Sequence, residues 1–206
     1  MCILSAKMPS RRTLAVSDRQ QSIPLMKLFT FLFCLTFSSI YGQTNYVIFP
    51  GTSTRDMIYQ MSDNSVFVDR YFKPTITNEL TYCMRIRFNS WDDRDTAYFR
   101  EDKKNYYACT DLSRTYDYIE IPKRPKARQI WYNIDSSWTY TILSIDTNLV
   151  TPAKTYEHVV AIQALQPEER NNLHTNYINY YAGGIGFVGS VVDKKLFCYL
   201  TEIQEK

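Results

Sequence analysis

Histidine is nearly absent from this chain: His158 and His174 are the only two in 206 residues. Metal sites need several ligands converging on one point, and no cysteine or histidine spacing here supplies them. Glycine is scarce too, six in all, and three of them spell the one glycine-rich stretch, Gly184-Ile185-Gly186-Phe187-Val188-Gly189. A dinucleotide fingerprint needs a strand before such a stretch and a helix after it, so that phosphates meet the helix N-terminus. Here a helical pattern precedes and a β-like run follows, which makes the stretch a connector. There is no Gly-x-Ser-x-Gly elbow to present a nucleophile. The acidic run Trp91-Asp92-Asp93-Arg94-Asp95 lacks the glycine and spaced acids of a calcium loop and is expected to be a charged hairpin tip. These absences argue against an enzyme and against a cofactor.

Long apolar runs are also missing. The longest, Leu28 to Phe37, follows Met26-Lys27 and precedes Ser38-Ser39-Ile40-Tyr41-Gly42. A short basic start, an apolar centre and small residues before a cut after Gly42 are the parts of a secretory signal peptide. A membrane span needs roughly 20 apolar residues, so this run is too short to be one. Residues 26–42 are thus expected to be a signal peptide, residues 1–25 a non-native upstream extension, and residues 43–206 one secreted domain. Without residues 1–42 the formal charge falls from +3 to −1, since five basic side chains leave with one acidic one. The electrostatic footprint of a nucleic-acid binder is then gone. Nothing downstream suggests a membrane anchor. Three cysteines remain, Cys83, Cys109 and Cys198; in an oxidising compartment two of them are expected to pair.

What is abundant is aromatic. Short aromatic and β-branched runs alternate with turn clusters from Tyr46 to Leu165, the spacing of an all-β domain. The runs are Val66–Phe72, Leu80–Phe88, Ala97–Arg100, Asn105–Thr110, Tyr116–Ile121, Gln129–Ile134, Trp138–Ile145 and Tyr156–Leu165. In the second of them Cys83, Arg85 and Arg87 share one face, with Met84, Ile86 and Phe88 on the other. Ser53 or Thr54 can cap a short helix through Met61. Pro167-Glu168-Glu169 suits a helix start, and Leu173, Tyr177, Ile178 and Tyr181 then recur at helical spacing until Gly183-Gly184. Phe187–Val192 and Leu196–Leu200 read as a loop and a short strand. Eight antiparallel strands can close into a barrel or stack as a jelly-roll sandwich, and periodicity does not separate the two.

Tyrosine carries the functional signal. A small barrel has just enough interior for one guest, and inward tyrosines would give it an apolar wall with hydroxyls to orient that guest. Tyr116 and Tyr118 share a strand face with Glu120; Tyr132, Tyr140 and Asp69 lie on neighbouring runs. Aromatic faces attract ammonium groups, and an amine would also want a buried acid such as Glu120 or Asp69.

Phe67-Val68-Asp69-Arg70-Tyr71-Phe72 followed by Leu80-Thr81-Tyr82-Cys83-Met84, and Trp138–Ile145 followed by Tyr156–Leu165 and the Pro167 helix, are where a family comes into view. In this order the chain resembles the lipocalins, and among them the salivary lipocalins of ticks. The resemblance implies an eight-stranded antiparallel up-and-down β-barrel with a short N-terminal helix and a C-terminal flanking helix. It also implies a Cys83–Cys198 disulfide, and a secreted monomer that sequesters a biogenic amine or a lipid mediator such as an eicosanoid or fatty acid. Tyr46–Pro50 followed by Leu80–Phe88 has a fainter resemblance to secreted lectin-like sandwiches, which would bind carbohydrate or protein instead.

Overall fold

Thirteen antiparallel strands and no helix make up the described residues, 54–89, 93–113, 116–166 and 176–206 of a computed structural model. All lie in the unit Gln43–Lys206. The leader and the extension before it, Ser53, the Trp91-Asp92 end of the acidic tip, and the stretch from Pro167 through His174 fall outside them.

The strands are β1 (Arg55–Met61), β2 (Val66–Tyr71), β3 (Thr75–Thr77), β4 (Leu80–Phe88), β5 (Arg94–Glu101), β6 (Asn105–Cys109) and β7 (Tyr118–Pro122). They continue with β8 (Ile130–Tyr132), β9 (Thr139–Val150), β10 (Thr155–Leu165), β11 (Asn176–Ala182), β12 (Gly186–Val192) and β13 (Lys195–Glu205). The eight expected runs are all strands, but five further strands join them. The eight-stranded barrel with two flanking helices is therefore not the architecture. The segment to Met61, expected to be helical, is β1, and the Tyr177–Tyr181 end of the late helix is β11. The reason is arithmetic: an i, i+4 spacing puts two residues on one face of a strand as well as of a helix. Met57 and Met61, or Tyr177 and Tyr181, satisfy both periods. What decides is the residue between them. Tyr59 is fully buried beside Met57, a period-2 pattern a helix cannot make.

One sheet runs in the order β7-β6-β5-β4-β2-β1-β13-β12-β11-β10-β9-β8, with β3 attached to β4 alone. Among the described residues there is no second sheet to stack on it, so the sandwich alternative falls. The order is that of an up-and-down meander whose two ends pair, β1 with β13, from Arg55↔Glu205 to Met61↔Cys198. Its break lies in mid-chain, between β7 and β8. There the sheet curls until its edges meet: the Trp131 indole N–H donates to the Ile119 carbonyl at 3.0 Å. Around this seam Tyr106, Ile121, Trp131, Ile142, Val160, Ile162 and Tyr181 pack as one buried cluster drawn from both edges. The barrel is nearly closed, by side chains and not by a ladder.

Curvature comes from irregularities in register. Bulges interrupt β1 at Ile58/Tyr59, β11 at Tyr180/Tyr181 and the β9–β10 pair at three places between Tyr156 and Ile162. A bulge bends its strand and increases its twist, which lets a wide sheet roll up. His158, at φ 55°, sits within the last of these and pairs at the surface with Asp146 at 2.9 Å. The glycine-rich stretch, expected to be a connector, is one only at Gly184-Ile185; Gly186 to Gly189 open β12, so Phe187–Val192 is a strand and not a loop. Gly184 lies at φ +73° and Gly186 at φ +100°, where glycine carries no Cβ penalty.

Two local features lend themselves to test. A Cβ on Gly189 would lie 2.8 Å from the Cys198 carbonyl oxygen and 3.0 Å from Leu149 Cδ2. Gly189→Ala should push β12 off β13 and cost about 1–3 kcal/mol in urea unfolding. Asp56, 6% exposed, accepts from Arg70 Nε and Nη2 at 2.7 and 2.8 Å and pairs with Lys206 at 2.7 Å. The Arg70 hydrogen bonds hold its carboxyl down at about 2, against the opposing effect of burial. Its stabilisation is thus complete above the ordinary carboxylate range and lost as pH falls through about 2. Asp56→Asn is expected to cost about 2 kcal/mol at pH 7 and almost nothing near pH 2, read from unfolding midpoints across that range.

Candidate functional site

The charged face of β4 turns inward. Arg85 and Arg87, together with Asp69 of β2, line a half-open cavity of about 420 Å³ on the inner face of the sheet, whose other walls include Phe67, Tyr71, Phe99, Phe187 and Phe197. That volume is within the range of small-molecule sites, roughly 300–1,000 Å³. Asp69 is 1% exposed. Its two oxygens accept from Arg87 Nε and Nη2 at 2.7 and 2.8 Å, a bidentate pair. Arg85 Nε is 3.9 Å from the same carboxylate, while its Nη2 donates to Asp95 at 2.7 Å. Each guanidinium also lies over a ring, Arg87 4.4 Å from the Phe67 centroid and Arg85 5.5 Å from that of Phe99. Both arginines are thus matched by acids and fixed by aromatic faces. Two polar atoms in this wall, Arg85 Nε and Ser190 Oγ, are buried without a hydrogen bond.

A smaller cavity of about 190 Å³ adjoins it and shares Glu120, Tyr177, Asn179 and Tyr181 with the larger one. Its remaining walls are Trp138, Tyr140, Ile162 and Ala164. Glu120, from β7 near the seam, is partly buried and lines both cavities. Its one hydrogen bond among the described residues is from the Tyr181 hydroxyl, at 3.4 Å. Burial raises its pKa above the ordinary glutamate value, and Arg85, Tyr181 and Arg87 only partly offset this. Burial likewise pushes the Tyr140 hydroxyl up to about 12 and those of Tyr118 and Tyr181 higher. These phenols are therefore neutral hydrogen-bonding groups at physiological pH.

Among the residues singled out in the sequence, Asp69, Glu120 and Tyr140 reach the cavities. Tyr118 is half-buried and packs against the main core. Tyr116 and Tyr132 are 67% and 57% exposed and lie on the outside. Tyr132 follows the inward Trp131 along β8, and adjacent strand residues point to opposite faces. The Cys83–Cys198 disulfide is not formed: Cys83, Cys109 and Cys198 are all free thiols, each buried. Cys83 Sγ instead donates to the Phe72 carbonyl at 3.2 Å, and burial pushes the thiols of Cys83 and Cys198 up to about 11, away from the reactive thiolate. Arg85, Arg87, Trp138, Tyr177 and Tyr181 are site residues that went unassigned in the sequence. The shared face of Arg85 and Arg87 was legible there; that it faces inward was not. Among the described residues no three His, Cys, Asp or Glu side chains group to hold a metal.

No protein-family model matches the chain, that of the lipocalins included, and no curated protein shows significant similarity to it. Two solved structures are similar to it in fold. One is a candidate exported protein with a YmcC-like fold from Bacteroides fragilis, at TM-score 0.48 and 11% identity, over 76% of this chain and 98% of that one. The other is a candidate lipoprotein from Parabacteroides distasonis, at TM-score 0.40 and 11% identity, over the same shares. The lipocalin resemblance thus reduces to an antiparallel barrel with a hollow interior; a tick lipocalin it is not shown to be.

The buried pair gives a direct prediction. Asp69→Asn leaves Arg87 without its countercharge inside the barrel, and the expected loss is about 2–4 kcal/mol in equilibrium unfolding. A loss below about 0.5 kcal/mol would mean that the cavity is wet enough to solvate the guanidinium by itself.

Proposed function

We propose that this protein is a secreted carrier that takes one small amphipathic molecule into the barrel and holds it without transforming it. The observation that supports this reading is the interior cavity: aromatic walls with a few fixed polar groups, Asp69, Arg85, Arg87 and Glu120, converging on it. Such a lining binds by removing apolar surface from water while one or two polar groups set orientation. Because the arginines are already held by Asp69 and Asp95, little ordering remains to be done when a guest arrives. A biogenic amine, an eicosanoid and a fatty acid all have the required combination of apolar body and polar end. The near-neutral balance of the domain offers no attraction for nucleic acid.

Trp138 lines the smaller cavity, so guest entry should alter its emission. Titration of histamine, serotonin, arachidonate and a leukotriene, followed by tryptophan fluorescence and native mass spectrometry, is expected to show saturable one-to-one binding of at least one. A folded protein that bound none of the four would overturn the carrier reading.

A further inference from the structure

We propose that the smaller cavity is an organic-ammonium site, in which Glu120 pairs with the cation and Trp138, Tyr140, Tyr177 and Tyr181 surround it. This rests on the carrier reading and names the class of guest. Charge matching is the first argument. Arg87 is taken by Asp69, and Arg85 lies between Asp69 and Asp95. Glu120 is then the acid without an ion pair: its one hydrogen-bond partner among the described residues is the neutral Tyr181 hydroxyl, at a long 3.4 Å, and Arg85 and Arg87 act on it only through space. An anionic guest would set a second acid beside Glu120, whereas an ammonium group can pair with it.

The second argument is the wall. Four aromatic rings border the cavity that Glu120 opens onto, with Trp138 and Tyr177 tilted against each other at 6.1 Å. Ring faces attract an ammonium group, and more strongly where water is excluded. The third is size. A cavity of roughly 150 Å³ holds benzene, so about 190 Å³ suits one ring with a short aminoalkyl arm.

Occupation has a consequence for protons. The groups facing Glu120 are Arg85 and Arg87 of β4, Tyr118 beside it on β7, Tyr140 of β9 and Tyr181 of β11. Burial favours the protonated acid in the free protein. An arriving ammonium favours the carboxylate: the Glu120 O–H proton passes to solvent, and the carboxylate oxygen accepts from the ammonium N–H. Amine affinity should therefore rise with pH through the Glu120 titration, as long as the amine stays charged, with up to one proton released per guest.

The test compares 2-phenylethylammonium, 2-phenylethanol and 3-phenylpropanoate, of similar shape and different charge, on the intact protein. Calorimetry in two buffers of unequal ionisation enthalpy counts protons, and tryptophan emission gives affinity. The cation is expected to bind about tenfold or more tighter than the alcohol, with proton release at the acidic end. Glu120→Gln should remove that preference and the proton release while changing alcohol binding by less than about threefold. An alcohol that binds as well as the amine, or a preference that survives Glu120→Gln, would sink the ammonium site and leave the carrier reading intact. Tighter binding of the propanoate would overturn it in favour of an anion site at Arg85 and Arg87. The wild-type comparison and the proton count decide even if the variant does not fold.

Discussion

A sheet of this width has two edges, and the molecule depends on bringing them together. An open edge is a row of unpaired N–H and C=O groups. In this chain the ends are spent on pairing β1 with β13, which puts the break between two strands adjacent in sequence. That break is shut by the Trp131 indole reaching the Ile119 carbonyl and by the buried cluster around it. If the edges parted, Glu120 on β7 would leave the Tyr140 and Tyr181 side of the cavity, and the site would lose a wall.

Within the closed sheet the lining is unusual for a core. Charges there are tolerated because all but Glu120 have a counter-charge: Asp69 is met by Arg87 in bidentate geometry, Arg85 by Asp95, and both guanidinium planes by rings. A buried ion pair of this kind adds little stability compared with apolar packing, but removing one partner is costly. The arrangement makes more sense as a wall for a guest than as a device for stability. The apolar core proper is continuous with it through Phe67, Tyr71 and Phe99, and has Met57, Tyr59, Val159, Val188 and Leu200 fully or nearly fully buried.

Much of the fold was legible in particular residues. Asp135-Ser136-Ser137 and Asp102-Lys103-Lys104, both rich in turn-forming residues, lie between strands, with Glu101 closing β5, and the eight aromatic runs are strands to within a few residues. Three pieces stayed hidden, two of them for one cause and the third for another. β1 and β11 carry i, i+4 apolar pairs that fit a helix equally well, and β12 contains Gly189, which reads as a breaker until its close approach to Cys198 is seen. The site was half visible: Glu120, Tyr140 and Asp69 could be picked out as a buried acid or aromatic on a strand. Tyr177 and Tyr181 could not, because their strand had been given the wrong period.

Alternation along single strands, then, settles what sequence alone can settle here: an all-β chain, and which side chains share a face. Which face turns inward, how many strands share the sheet, and whether its edges meet were decided only by tertiary structure. The physical reason is that period-2 order is local, whereas inside and outside are properties of the closed surface. Arg85 and Arg87 face in because Asp69, eighteen residues from Arg87 in sequence, waits on the neighbouring strand, and no window on either strand contains that pairing.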